Sequence, residues 1–188
     1  MEKTLKSILI AHENDSGLEI RNQKFFNETI FEETLSGAIL DRVNLSNCQF
    51  ETVDLVTNSF LHCTFENCRF EDIAFYKSEF WGCTFQNCEI IECEATKVEF
   101  DKTIFKNCQI KQVDFGWSWF ADCQFLETKL DDINFEATII SDLKTKNTTG
   151  LNLHFNERFP MNFWRFKECT KIKDSLSFTK FLRNMNSD

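Results

Sequence analysis

Nine cysteines, three histidines and 30 carboxylates are the side chains of this 188-residue chain that could carry chemistry. Cys48, Cys68, Cys88 and Cys108 recur every 20 residues, each preceded by an asparagine: Asn47, Asn67, Asn87 and Asn107. Thiols so spaced can pack as small hydrophobes, pair as disulfides or hold a soft metal. Metal binding is disfavoured, because no Cys-x-x-Cys pair occurs and His12, His62 and His154 are the only imidazoles. An odd thiol count, with an N-terminal apolar stretch too short for a signal peptide, points to reduced thiols and a cytoplasmic location. Packed free thiols are therefore the expectation. The sequence has no Gly-rich phosphate loop and no Ser/His/Asp signature, so neither a catalytic site nor a cofactor is expected.

The elements that position these side chains follow from one period. The 25 residues found at every fifth position from Ile20 to Ile140 are 14 Phe, five Leu, five Ile and Ala95. A period of five fits neither a helix nor an ordinary strand and marks a repeat. Two residues before the large one, 18 of the 19 positions from Cys48 to Thr138 hold a small or β-branched residue, as in SNCQF, LHCTF, ENCRF, WGCTF and ADCQF. Eight of the nine cysteines occupy this small column; Cys169 does not. One small and one large side chain thus point inward per unit, and three residues face outward.

This pattern resembles the pentapeptide-repeat family, whose unit is roughly A-(D/N)-L-x-x, with Cys here often replacing Ala and Phe often replacing Leu. The resemblance covers about two-thirds of the chain. It implies an all-β fold, a right-handed quadrilateral parallel β-helix with four units per coil. On this reading residues 1–19 form an N-terminal cap, 20–140 make about six coils, and 141–188 form a C-terminal cap with a short helix near 174–185. The asparagine column should lie at a corner, its amides bonding up and down the stack.

Several positions depart from the pattern. Ala95 interrupts a column of Leu and Phe, which implies local repacking, a bend or a small cavity. Asn58, in the small column, must find a hydrogen-bond partner. Glu28 and Glu33 in the same column suggest an irregular first coil with carboxylates turned to solvent. After Ile140 the phase is lost. Asp174 is placed to cap a helix in which Phe178, Phe181, Leu182 and Met185 share one face. That face either covers the last coil or pairs two copies, since the resemblance implies that some members join through their C-termini.

Charge is segregated: residues 1–19 carry −2, 20–140 carry −11 and 141–188 carry +4. An acidic rod should not bind nucleic acid directly, because binding needs cations to displace phosphate counterions. Carboxylates on a convex rod lie in no evident cleft that would shift their pKa, which also argues against an enzyme. No apolar run approaches the ~20 residues needed to cross a bilayer. Partners are therefore sought among proteins. Val56, Leu61, Tyr76, Trp81, Trp117 and Trp119 fall at outward positions around one side and suggest an adaptor surface, unless a terminal segment folds over them. The family resemblance implies a second reading, an acidic DNA mimic that protects type II topoisomerases and so confers resistance to quinolones or toxins. Glu79, Glu99, Asp101 and Asp114 are candidates for that contact. The basic tail, with Arg165, Lys167, Lys171 and Lys173, is read as the solvated face of a cap.

Overall fold

The computed structural model describes residues 4–11, 17–165 and 168–185. The chain winds as a parallel β-solenoid of about seven turns, with strands in three sheets of nine, seven and seven. Residues 20 apart pair in register: Phe80 lies between Phe60 and Phe100, and Phe85 between Phe65 and Phe105. The fourth face is held by single bridges such as Ala74–Glu94 and Glu94–Asp114, beside strands like Gln49–Asp54 that bend round the corner from the third.

Corners are made by the second residue after each large one. Every fifth residue from Asn22 to Asn152 has a positive φ, between 47° and 70°. Fourteen of these 27 residues are Asn, Asp or Gly, the types that tolerate the left-handed region best. At the corner between the second and third faces, asparagines form the expected column. Asn67 donates to Asn47 (3.2 Å), Asn87 to Asn67 (3.0 Å) and Asn107 to Asn87 (2.9 Å).

The interior is built of rings. Phe60, Phe80, Phe100 and Phe120 stack at successive centroid distances of 4.6, 5.1 and 4.6 Å. A second column, Phe65 to Phe125, runs beside it. The two columns meet edge to face, as between Phe100 and Phe105 at 5.6 Å, the offset geometry that aromatic quadrupoles favour. Around buried Ala95 the packing closes locally, with Phe115 meeting Phe100 edge-on at 5.9 Å.

The small column does more than fill space. Its thiols and hydroxyls each donate to the carbonyl 23 residues earlier: Cys63 to Leu40 (3.2 Å), Thr103 to Phe80 (2.9 Å), Ser118 to Ala95 (2.7 Å). Eight cysteines, Cys48 to Cys123, are free and buried. Burial pushes the Cys93 and Cys123 thiols up to about 12, well out of the range in which a thiolate forms. Cys169 has no described side chain.

The structure corrects three expectations. The coil does not stop at Ile140: Leu143, Thr148 and Leu153 continue the inward small column, and the left-handed residues continue through Asn152. The phase is hidden because Thr145 and Gly150 replace the large residues. Helix α2 (Ser175–Met185) rests on the strands containing them, and its Phe178 packs against Phe135 and Phe155. Phe178 is 1% exposed and Phe181 meets Phe163 edge to face, so these two rings pack on the core of their own chain. Leu182 and Met185 lie in α2, but their side chains are outside the described residues. At the other end Glu28 does not turn fully to solvent. Its Oε1 accepts from the Leu5 amide (2.9 Å) at the start of helix α1 (Leu5–Ala11), whose Leu5 and Leu9 cover the first coil. Glu33 too is half-buried. The expected cap at Asp174 is present, with its carboxylate accepting from the Ser177 amide (2.8 Å) and held below its ordinary pKa by that bond.

Candidate functional site

The first face carries the exposed tryptophans, while two other exposed rings, Phe26 and Phe31, lie on the second and third faces of the first coil. Its outward residues form two columns flanking the buried ring of each strand. One reads Ser59, Glu79, Glu99, Trp119, Ile139, Asn162; the other Leu61, Trp81, Asp101, Ala121, Ser141, Trp164. Trp117 stands at the left-handed corner leading into this face. All four tryptophans of the chain therefore lie on one side, each between 44% and 54% exposed.

Trp117, Trp119, Ile139, Phe159 and Trp164 form one apolar patch on the last three coils. Ile139 is register neighbour to Trp119, and Phe159 lies 5.4 Å from Trp117, ring centre to ring centre. Trp81 is on the same face but two coils below Trp119, with Asp101, Ala121 and Ser141 between it and Trp164 in their column. Tyr76 belongs to the fourth-face corner. Lys97 donates to its hydroxyl (3.3 Å) and, with Lys77, lies over its ring; that hydrogen bond holds the phenol below its usual pKa. Among the described residues the terminal helices do not bury the patch: α1 sits on the first coil, and α2 on strands of the second and third faces.

Reasoning from the sequence missed Phe159 and Trp164. The last coil is longer, because Ile140 pairs with Phe163 and not with residue 160, so the five-residue count no longer finds them. Two aromatic residues beyond the regular count, with strand-forming neighbours, were the available signal.

The four singled-out carboxylates do not share one surface. Glu79, Glu99 and Asp101 are on the first face, where Lys102 pairs with Asp101 at 3.7 Å. Asp114 is on the fourth, accepting from the Gly116 amide (2.7 Å) and Asn134 Nδ2 (2.9 Å), a turn-closing role. The densest acidic surface runs along the edge between the third and fourth faces, through Glu51, Asp54, Asp72, Glu92, Glu94 and Asp132. A shallow groove there is lined by Asp54, Asp72, Glu92 and Glu94 around Ala74. Among the described residues no group of three or more His, Cys, Asp or Glu is arranged to hold a metal ion, and no helix is long and apolar enough to cross a membrane.

One strand, one left-handed corner and one inward pair per five residues, four units to a coil, define a pentapeptide-repeat solenoid. Solved structures with similar winding include a trypsin-treated variant of QnrB1, a plasmid-mediated fluoroquinolone resistance protein, at 11% identity over 73% of this chain and 72% of that one (TM-score 0.37). Others are Rfr23, a pentapeptide repeat protein from the cyanobacterium Cyanothece 51142, at 10% identity over 82% and 97% (TM-score 0.32), and a pectin methylesterase from Yersinia enterocolitica, at 9% identity over 92% and 86% (TM-score 0.34). No family model and no curated protein matches the sequence.

Proposed function

We propose that the protein is a non-catalytic rod that binds another protein through the aromatic patch of its first face. The observation behind this reading is that every tryptophan of the chain is outward and half-exposed on one of four faces. Trp is enriched among residues that dominate binding energy, and an exposed contiguous apolar patch is unusual on a surface meant only for solvent. Acrylamide quenching of tryptophan fluorescence, with mass measured by light scattering, tests it. All four rings should be open to quencher in the isolated protein; protection of Trp119 and Trp164 would overturn the reading.

A specific observation favours a second reading, the acidic mimic of DNA that occupies a type II topoisomerase. With Glu71, Asp114 and Asp131 included, the third–fourth edge carries nine carboxylates over five coils of ~4.8 Å each, about one per 2.7 Å, against about one phosphate per 1.7 Å of duplex. Gyrase supercoiling with and without a quinolone tests it. Inhibition or drug rescue that weakens in Glu92→Gln with Glu94→Gln would support mimicry, and no effect at micromolar protein would sink it.

A further inference from the structure

We propose that the occupant of the aromatic patch is an amphipathic helix with Lys or Arg along one flank, lying parallel to the rod axis; this rests on the docking reading above. The argument begins with what borders the patch. Asp122 and Asp142 are exposed corner residues on successive coils along one side of the first face, above Asp101, which is paired with Lys102. Most neighbouring cations are engaged: Lys97 with Tyr76, Lys102 with Asp101, Arg158 over the Phe159 ring. Lys171, register neighbour of Asn162, is exposed at the upper border and marks where the acidic flank ends. The patch is thus apolar on one side and anionic on the other, and its complement is a segment with an apolar stripe beside a basic one.

Backbone geometry favours a helix over a strand. Strand addition would have to use the outer edges of this sheet, at Glu19–Arg21 and Glu168–Ile172, whereas the patch lies on the outward face of strands that pair with coils above and below. A helix brings side chains four residues apart to the same side about 6 Å apart along its axis, close to the ~4.8 Å coil repeat. Apolar residues at i and i+4 then meet Trp119 and Ile139 in turn, and one at i+7 reaches across to Trp164, which stands one coil up in the neighbouring column. The same face of a second copy is a poor fit, since it would set carboxylates against carboxylates or against rings.

Two 14-residue tryptophan-free peptides test this on the whole protein: one amphipathic with Leu and Lys, the other its Leu and Glu counterpart. Binding is read by the protein's own tryptophan emission and by anisotropy of labelled peptide. The basic peptide should bind and weaken with salt. Trp119→Ala should cost at least ten-fold, and Asp122→Asn with Asp142→Asn three- to ten-fold. Glu92→Gln with Glu94→Gln, which removes equal charge from the opposite edge, should change affinity less than two-fold. Equal binding of the acidic peptide, or equal losses from the two carboxylate pairs, would overturn the basic-helix assignment while a Trp119→Ala loss left the docking surface standing. Failure of both peptides with the rings open to acrylamide would overturn the helix alone. Rings closed to acrylamide would overturn the docking reading itself.

Discussion

Replacing Asn58 tests why a buried amide is held in the small column. Asn58 is fully buried; its Oδ1 accepts from the Ala38 amide (2.7 Å) and its Nδ2 donates to the Leu35 carbonyl. Ser78 and Ser118 do the same with one oxygen: Ser118 Oγ donates to Ala95 O (2.7 Å) and accepts from Val98 N (2.9 Å). Asn58→Ser should therefore keep both partners and cost less than about 1 kcal/mol. Asn58→Ala orphans a buried N–H and a buried C=O at about 1–3 kcal/mol each, roughly 4 in all. Some of that is recoverable. Beneath Val98, which offers no polar atom, the Ser78 amide closes onto Phe75 O at 2.9 Å within its own turn. One such closure returns about 1 kcal/mol, so the expected loss is about 3 kcal/mol, or roughly 6–12 °C in Tm for a chain of this size. Because solenoids can open locally, hydrogen exchange at Ala38 should accompany thermal melting. Equal destabilisation by Ser and Ala, or an Ala variant within 1 kcal/mol of the parent whose Ala38 amide stays protected, would refute the reasoning.

Two further outcomes are expected. The Cys93 and Cys123 thiols, raised by burial to about 12 in the fold, ionise near 9 when unfolded; the folded state then holds more protons between those values. Their contribution is full below pH 9 and is lost as pH rises toward 12, so alkaline melting should be steeper than in Cys93→Val with Cys123→Val, and neither thiol should be alkylated in native protein at pH 8. Trp117→Asn should leave Tm within about 3 °C, because relief of the left-handed corner, about 1 kcal/mol, offsets the lost Phe159 contact of about 0.5–1.5 kcal/mol. The same variant should lose at least ten-fold in binding of the basic peptide; parallel loss of stability and binding would assign Trp117 a structural role only.

The winding was legible because a solenoid repeats its constraints: each large residue must cover the one 20 before it, so the sequence displays the period 25 times. Asn58 and Ala95 were visible as departures for the same reason. The seventh coil was not, because Thr145 and Gly150 give up the large positions that α2 then covers with Phe178, a non-local contact with no sequence period. Trp117 and Trp119 were placed on one side from phase alone. Trp164 and Phe159 were lost to the longer last coil, and Asp114 falls on a different face from Glu79, Glu99 and Asp101 because outward residues a few places apart can fall on different faces of a square coil.

A square coil also explains why function could gather on one face at little cost to the fold. Stability resides in the inward pair and the left-handed corner, and the remaining outward residues are free to vary. Most corners take Asn, Asp, Gly or a flexible polar residue, which suits either the backbone or solvent. Trp117 suits neither: it is a bulky aromatic at φ 60°, with its ring 54% exposed. Such a residue gains little from folding, since only Phe159 stacks on it. Local rules are broken where something other than stability is being served. Its direct neighbours on the surface are Trp119 and Phe159, and the carboxylates of Asp122 and Asp142 lie across the same face. The strained corner, the exposed rings and the one-sided charge thus come together on the last coils of the first face, whereas the acidic third–fourth edge uses only residues that solvent would accept anyway.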